Sequence, residues 1–167
     1  DEVETITAQS YYLLSSAYFQ KEDFVRARSN MEEAIRLAEE EGYRPKENWY
    51  VLLAACFNEL KDRKVIGPEY ALEQQVGIYE ILVNYYPKKQ YFLQLGYTYQ
   101  QMDREEDYMI TLRDTHAKDL LDTPSDTLAL AQLLLLDRNP DRAAEVIFSG
   151  QKKITTYTET VKDKVKR

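Results

Sequence analysis

The sequence predicts an all-α fold built from repeated helix pairs. Much of the chain is Leu, Ala, Glu, Lys, Arg and Gln, and its 167 residues include only 5 Gly and 5 Pro. The abundant residue types lose little side-chain entropy in a helix. A second observation is that a similar sequence pattern occurs twice, as SYYLLSSAYFQKEDFVRA at 10–27 and as YFLQLGYTYQQMDREED at 91–107. Each joins aromatic, Leu and small residues to a charged turn, which indicates a repeat architecture.

The first helix pair shows the pattern most completely. Eight positions carry it, at spacings of 3, 1, 3, 6, 3, 4 and 3 residues: Tyr11, Leu14, Ser15, Tyr18, Phe24, Ala27, Met31 and Ala34. Residues three apart share one helix face, and the small residues let two helices approach closely. This pattern resembles the tetratricopeptide repeat. The resemblance implies an α-solenoid of about four helix pairs plus a C-terminal helix, with a first repeat at about 8–41.

The second predicted repeat covers about 46–87 and begins at Trp49, 38 residues after Tyr11. We place the surplus over a 34-residue period in the segment EEEGYRPKEN, where Gly42 can end a helix. Leu52, Leu53 and Cys56 fill the next places of the pattern. Because Gly67-Pro68 would break a helix, we expect an insertion at about 63–73 between the two helices of this repeat. Its second helix is expected from about Tyr70 to Tyr86.

The third and fourth repeats are predicted at about 88–121 and 125–150. The third has Phe92, Leu95, Gly96 and Tyr99 on its first helix, with Tyr108 and Thr115 where Ala is usual. The fourth is assigned to Leu128, Ala131, Gln132, Leu135, Ala144 and Phe148. Ser125 or Asp126 would cap its first helix, and Gly150 would end its second.

The tail carries Ile154, Tyr157, Val161 and Val165 on one helical stripe, which predicts an end helix at about 151–166. This helix either covers the last repeat or begins a further pair. We expect residues 1–167 to form one superhelical domain. The start DEVET has no initiator Met and no signal-peptide pattern, so we expect a fragment of a longer protein.

Composition argues against several classes of function. The net charge is 22 − 29 = −7, whereas a nucleic-acid partner requires a basic face. The single Cys56 excludes an internal disulfide and is expected to be a buried structural thiol, and the lone His116 is expected at the surface of a helix end. We therefore predict no metal, no cofactor and no enzymatic activity. A helical enzyme domain remains the alternative from another class.

The family resemblance also implies a concave groove lined by the first helices. Carried over by position, the predicted partner-binding residues are Tyr12, Ser16, Phe19, Tyr50, Phe57, Asn58, Leu93, Tyr97 and Gln101. The same positions add Gln20, Ala54, Gln100, Ala129, Leu133, Leu136 and Asp137. This groove is aromatic, apolar and amide-bearing, which favours an extended peptide or a partner helix. Packing of some rings against the inserted segment or the tail is the competing interpretation.

One subclass of the family is not predicted, because the basic groove residues that it requires are absent from this sequence. Co-chaperones of this family that bind a C-terminal carboxylate use Lys, Asn and Arg in the groove. Here Tyr12, Ser16, Gln90 and Gln94 occupy those places. The sequence therefore does not predict a carboxylate-binding groove.

A narrower resemblance covers about 47–150. The segments ENWYVLL, NYYPKKQYFLQLGYTYQQMD and LALAQLLLLDRNPDRAAEVI look like the tetratricopeptide proteins encoded beside TonB, ExbB and ExbD genes in gammaproteobacteria. The segment VIGPEYALEQQ departs from that pattern. The resemblance implies a periplasmic or envelope-associated accessory to energised uptake, such as iron transport, with TonB, ExbB or ExbD as partners. The alternative is a soluble adaptor or assembly chaperone unrelated to TonB, with the cytoplasm as the alternative location.

Overall fold

The computed structural model describes residues 7–136 and 139–148, without the side chains of Leu133 and Leu136, and these residues are helical with short turns and no strand. The helices are α1 Ala8–Gln20, α2 Phe24–Glu40, α3 Glu47–Asp62, α4 Pro68–Tyr85, α5 Lys89–Gln101, α6 Glu105–Ala117 and α7 Pro124–Leu136. An eighth helix, α8, covers 140–148. The chain divides into two compact units, Asp1–Pro87 and Lys88–Arg167. The predicted all-α class of tetratricopeptide-like helix pairs is confirmed.

In the first unit, α1 and α2 form the first predicted pair. Asp23 caps α2, because its Oδ1 accepts a hydrogen bond from the Arg26 backbone N at 3.2 Å. Ser15 lies against α2 and its Oγ donates to the Ala27 backbone oxygen at 2.6 Å. All the small or large apolar positions predicted on α2 are buried. Leu14 is instead 43% exposed, since α1 is the first described helix and no described pair precedes it.

Helix α3 lies between α2 and α4 and is buried on more than one side. Its buried residues are Trp49, Tyr50, Leu53, Ala54, Cys56, Phe57 and Leu60. The helix has 16 residues whereas α1 has 13, so part of the long repeat period lies within α3 itself. The predicted insertion at 63–73 is wrong in extent. Pro68 occupies the first turn of α4, where its missing N–H costs nothing, and only 63–67 connect the two helices.

Several helices end in the same left-handed turn. The second residue after the end of α1, α2, α3, α5 and α6 has a φ between 55° and 78° in each case; these residues are Glu22, Gly42, Lys64, Asp103 and Asp119. The following N–H bonds back to the carbonyl five residues earlier, as in Asp23 N to Tyr18 O at 2.9 Å and Arg104 N to Tyr99 O at 3.0 Å. These are Schellman turns, which satisfy the free carbonyls of the helix end. The prediction that Gly42 ends a helix is confirmed.

In the second unit, α5 and α6 meet at a glycine. A Cβ at Gly96 would lie 3.1 Å from Cδ2 and 3.2 Å from Cε2 of Tyr108. The large residue in the usual Ala place is therefore matched by the smallest residue opposite it. Thr115, in the other usual Ala place, is fully buried and its hydroxyl donates to the Thr111 backbone oxygen at 2.6 Å.

Helices α7 and α8 lie where the fourth helix pair was predicted, but the predicted register is wrong by about one residue. The core of α6, α7 and α8 consists of Leu112, Leu121, Leu130, Ala131, Leu134, Ala143 and Val146. Of the predicted positions only Ala131 is buried, whereas Leu128, Gln132, Leu135, Ala144 and Phe148 are exposed. The cap of α7 also differs from the prediction. Thr123 Oγ1 accepts from the Asp126 backbone N at 3.3 Å, and Pro124 begins the helix.

The remaining calls on the C-terminal part fall outside the described residues. These are the end helix at 151–166, Gly150 and Asp137.

Replacing the strained Lys64 by glycine should stabilise the protein. A non-glycine residue in the left-handed region costs about 1–2 kcal/mol, part of which is offset by the greater unfolded-state freedom of glycine. We expect Lys64→Gly to raise the free energy of unfolding by about 0.5–1 kcal/mol, measured by urea denaturation. The control is Gln74→Gly on the exposed side of α4, which should lower it by about 1 kcal/mol. Destabilisation by both variants would contradict the prediction.

Gly96 and Tyr108 should be energetically coupled. Gly96→Leu places a side chain where Tyr108 packs, so we expect a loss of about 1–3 kcal/mol in unfolding free energy. Tyr108→Ala removes that obstacle, and the double variant should lose less than the sum of the two single losses. A double-mutant cycle by denaturation measures the difference. Strict additivity would show that the two residues do not constrain each other.

Candidate partner-binding surfaces

A cavity of about 220 Å³ opens in the second unit between α5 and α7. Its α5 residues are Phe92, Leu93, Gly96, Tyr97 and Gln100. Tyr108 and Leu112 of α6 and Ser125, Asp126 and Ala129 of α7 complete it. We call this cavity the α5–α7 pocket. Gly96 borders the cavity and lies directly against the Tyr108 ring.

One end of the α5–α7 pocket is polar. Asp126 Oδ2 lies 2.9 Å from Lys89 Nζ and accepts from Thr123 Oγ1 at 2.5 Å. Lys89 also pairs with Asp122, so one ammonium serves two carboxylates. Although burial opposes the Lys89 charge, its bonds to Asp122 and Asp126 outweigh that effect and the Lys89 pKa is raised. Burial, then the Asp126 charge, raises the pKa of Tyr108, so this phenol stays protonated at neutral pH.

The predicted groove residues of the third repeat meet at this pocket. Leu93 and Tyr97 line it together with Gln100, and Ala129 reaches it from α7. Tyr97 is 58% exposed at the opening. Gln101 is exposed on α5 but does not line the pocket. The structure thus brings most of this set to one surface, and their partner-binding role stays a prediction.

In the first unit, the predicted groove residues on α1 make contacts within the protein. The Tyr12 ring stacks on Trp49 with centroids 5.6 Å apart, and its hydroxyl accepts from Asn48 Nδ2 at 2.9 Å. Phe19 packs edge-on against Phe24 at 5.0 Å. Ser16 is half-buried on the same helix. Tyr12 and Phe19 thus pack within the protein, but against α3 and α2 rather than against the inserted segment or the tail of the competing interpretation.

The predicted groove residues on α3 differ in their exposure. Asn58 is exposed and its Nδ2 donates to Asp62 Oδ2 at 3.4 Å. Tyr50 and Phe57 are only 4% and 1% exposed, so the expectation that these rings are open to a partner is wrong. Burial raises the pKa of Tyr50 to about 12, with further contributions from nearby negative groups.

The physical reason for the Phe57 error is register. Counted back seven residues from the left-handed turn residues Glu22, Lys64 and Asp103, Phe57 corresponds to Ser15 and Gly96, which both face the second helix of their pair. Counting forward from Trp49 instead equated Phe57 with Phe19. Because α3 is longer than α1, counting from the start of the helix and counting from the turn at its end give different equivalents for Phe57.

A second cavity, of about 290 Å³, was not predicted. It is lined by Val25, Arg28, Ser29, Glu32, Leu60, Val65 and Ile66. Two apolar residues, Val65 and Ile66, come directly after the left-handed Lys64 in the short connection between α3 and α4. Such an apolar pair in an otherwise charged turn is the sequence signal that could have indicated this cavity.

Cys56 and His116 are the two residues that the sequence analysis considered for metal binding or catalysis. Cys56 is buried, as predicted, and burial raises its pKa to about 12, which keeps it a thiol. His116 is partly exposed in the last turn of α6. Within residues 7–136 and 139–148, no three His, Cys, Asp or Glu side chains are grouped to hold a metal ion. No helix in that part of the chain combines the length and apolar character of a membrane span.

Comparison with known proteins supports the repeat assignment. Residues 8–41 match the family model for the tetratricopeptide repeat, at the same bounds as the first predicted repeat. No curated protein sequence matches the chain. The match places a tetratricopeptide repeat at α1 and α2.

Solved structures extend the likeness to most of the chain. MamA (residues 41 to the end) from Desulfovibrio magneticus RS-1 is 16% identical, with a TM-score of 0.52 over 92% of this chain and 78% of that one. A double mutant of MamA RS-1 gives 16% and 0.55 over 92% and 79%. MamA MSR-1 gives 12% and 0.53 over 94% and 82%. At these identities the likeness shows the fold alone.

Two predicted groove tyrosines should now respond differently to truncation. Tyr50→Ala removes a buried ring, so we expect the free energy of unfolding to fall by about 3–5 kcal/mol. Tyr97→Ala removes an exposed ring and should change it by no more than about 0.5 kcal/mol. Urea denaturation followed by circular dichroism measures both. Equal losses in the two variants would show that the burial of Tyr50 or the exposure of Tyr97 is misassigned.

Proposed function

We propose that the chain is a protein-interaction scaffold that binds a segment of a partner protein at the α5–α7 pocket. The observation that carries this proposal is the exposed Tyr97 ring among the mixed apolar and polar residues that line the cavity. Tyrosine suits such a position, because it offers a large contact area and a hydrogen-bonding tip at low entropic cost. The coarser role, protein binding, accords with the tetratricopeptide match and the fold likeness.

The pocket is suited to a side-chain anchor on an extended segment or helix. A cavity of about 220 Å³ is smaller than sites for drug-sized molecules, which span about 300–1,000 Å³. It accommodates one large side chain from a partner. Gln100 and Ser125 at its edge offer amide and hydroxyl groups that can hydrogen-bond a partner backbone.

The identity of the partner rests on sequence resemblance. The likeness of about 47–150 to tetratricopeptide proteins encoded with TonB, ExbB and ExbD supports an accessory role in a TonB-type uptake complex of the bacterial envelope. It also supports a periplasmic or envelope location. The alternative is an adaptor or assembly chaperone for another complex. In both candidate functions the α5–α7 pocket binds a protein, and the two candidates differ in which protein that is.

Photo-crosslinking in the native cell tests the proposal. A benzophenone amino acid replaces Tyr97, and the captured protein is identified by mass spectrometry. We expect capture of a distinct partner, because Tyr97 lies at the pocket opening. The control places the same group at Tyr43, an exposed tyrosine of the first unit outside the pocket, and should not capture that partner.

The captured protein separates the candidates. TonB, ExbB, ExbD or an outer-membrane receptor would support the envelope role. A different protein, captured at position 97 and not at 43, would support the scaffold and contradict the TonB link. Capture of nothing, or only of this chain, would contradict partner binding at the pocket.

A further inference from the structure

We infer that the α5–α7 pocket recognises an arginine side chain of its partner. The inference rests on the binding role proposed above and names the chemistry of the anchor. It depends on three observations: the rings and carboxylate of the pocket, the way this protein packs its own arginines, and the charge around the pocket.

The protein repeatedly places an arginine over a ring and beside a carboxylate. Arg28 Cζ lies 4.6 Å from the centroid of Phe57 while its Nε donates to Glu32 Oε1 at 2.9 Å. The arrangement combines cation–π attraction with a charge-assisted hydrogen bond.

Two further arginines repeat this combination, Arg63 also between α3 and α2 and Arg104 at α5 and α6. Arg63 Cζ is 4.5 Å from the Phe24 ring with its Nη2 3.1 Å from Glu22 Oε2. Arg104 Cζ is 4.8 Å from the Tyr99 ring with Nε 2.7 Å from Asp107 Oδ2. In each of these three cases one guanidinium contacts both a ring and a carboxylate.

The α5–α7 pocket contains the same two kinds of group, aromatic rings and a carboxylate, in one lining. Tyr97 and Tyr108 contribute the rings and Asp126 the carboxylate. The contacts of Asp126 with Lys89 and Thr123 are both at Oδ2, which leaves Oδ1 for another donor. Gln100 adds a side-chain carbonyl within the same lining. A planar guanidinium can stack on a tyrosine and donate to two acceptors at once.

Charge favours a cation over an anion here. The residues that line the pocket include one acid and no base. Lys89, beside the pocket, is shared between Asp122 and Asp126, so these three groups retain one negative charge. The whole chain has a net charge of −7. A partner carboxylate would meet repulsion, whereas an arginine meets attraction that falls as salt is added.

An NMR titration of the full chain tests the inference with two probes, N-acetyl-arginine amide and its neutral isostere N-acetyl-citrulline amide. We expect the arginine probe to shift the backbone amide signals of Tyr97, Gln100 and Asp126. It should bind at least about fivefold more tightly than the citrulline probe, a factor in the range of an exposed cation–π contact plus an ion pair. Equal affinity for the two probes, or shifts that map elsewhere, would overturn the inference.

Matched variants separate the pocket from general charge. Asp126→Asn should bring the arginine-to-citrulline affinity ratio close to one. Asp122→Asn removes the same charge from the same Lys89 cluster but outside the pocket lining, and should keep the ratio near the native value. An equal fall in both variants would assign the preference to net charge and overturn the inference. Tyr97→Leu, at an exposed position, gives a second measurement independent of Asp126 and should weaken the arginine probe several-fold.

The two proposals can fail separately. A partner captured at Tyr97 whose contacting segment has no arginine, with no arginine preference in the titration, would leave the scaffold and reject this anchor. An arginine preference without any captured partner would reject the scaffold proposal instead.

Discussion

The close approach of the two helices in each pair is the constraint on which the rest of the structure depends. A left-handed turn ends the first helix and sets which residue faces the second, seven positions earlier. In α1 that residue is Ser15, which bonds the backbone of α2, and in α5 it is Gly96, which touches Tyr108. Side-chain volume at this position is complementary across the pair, as close packing requires. Gly96 also lines the α5–α7 pocket, so the residue at which α5 packs on α6 borders this candidate binding surface.

The repeat pattern was sufficient to predict the fold class and the bounds of the first helix pair. Periodic apolar residues and the small residues Ser15, Ala27 and Ala34 report helix packing directly, so the packing positions predicted for the first pair are buried or half-buried except at Leu14. The errors arose where a helix changed length. Four of the five left-handed turn residues are charged rather than glycine, so no sequence signal marked the turn from which the register of α3 has to be counted. In the fourth repeat, a helix rich in leucine offered two registers one residue apart, and only packing against α6 distinguishes them.

The pocket itself was only half predictable. Its α5 residues follow from one helical stripe, so Leu93 and Tyr97 could be assigned from sequence. The α7 contribution depends on where Thr123 begins the helix and on the ion pair between Lys89 and Asp126, which joins residues far apart in the chain. Periodicity carries no information on such pairs. The acidic end, which sets the chemistry proposed for the partner, was therefore visible only in the structure.

Internal packing of the rings decides which of the predicted groove surfaces is suited to a partner. In the first unit Tyr12 stacks on Trp49, Phe19 packs on Phe24, and Phe57 is covered by Arg28 and Tyr70. A partner that used these rings would first have to replace contacts that contribute about 0.5–1.5 kcal/mol each. Tyr97 is more than half exposed and makes no ring stack among the described residues, so a partner gains its contact area without that loss. The predicted groove positions thus hold internally packed rings in the first unit and an exposed ring in the second, because what surrounds the rings differs.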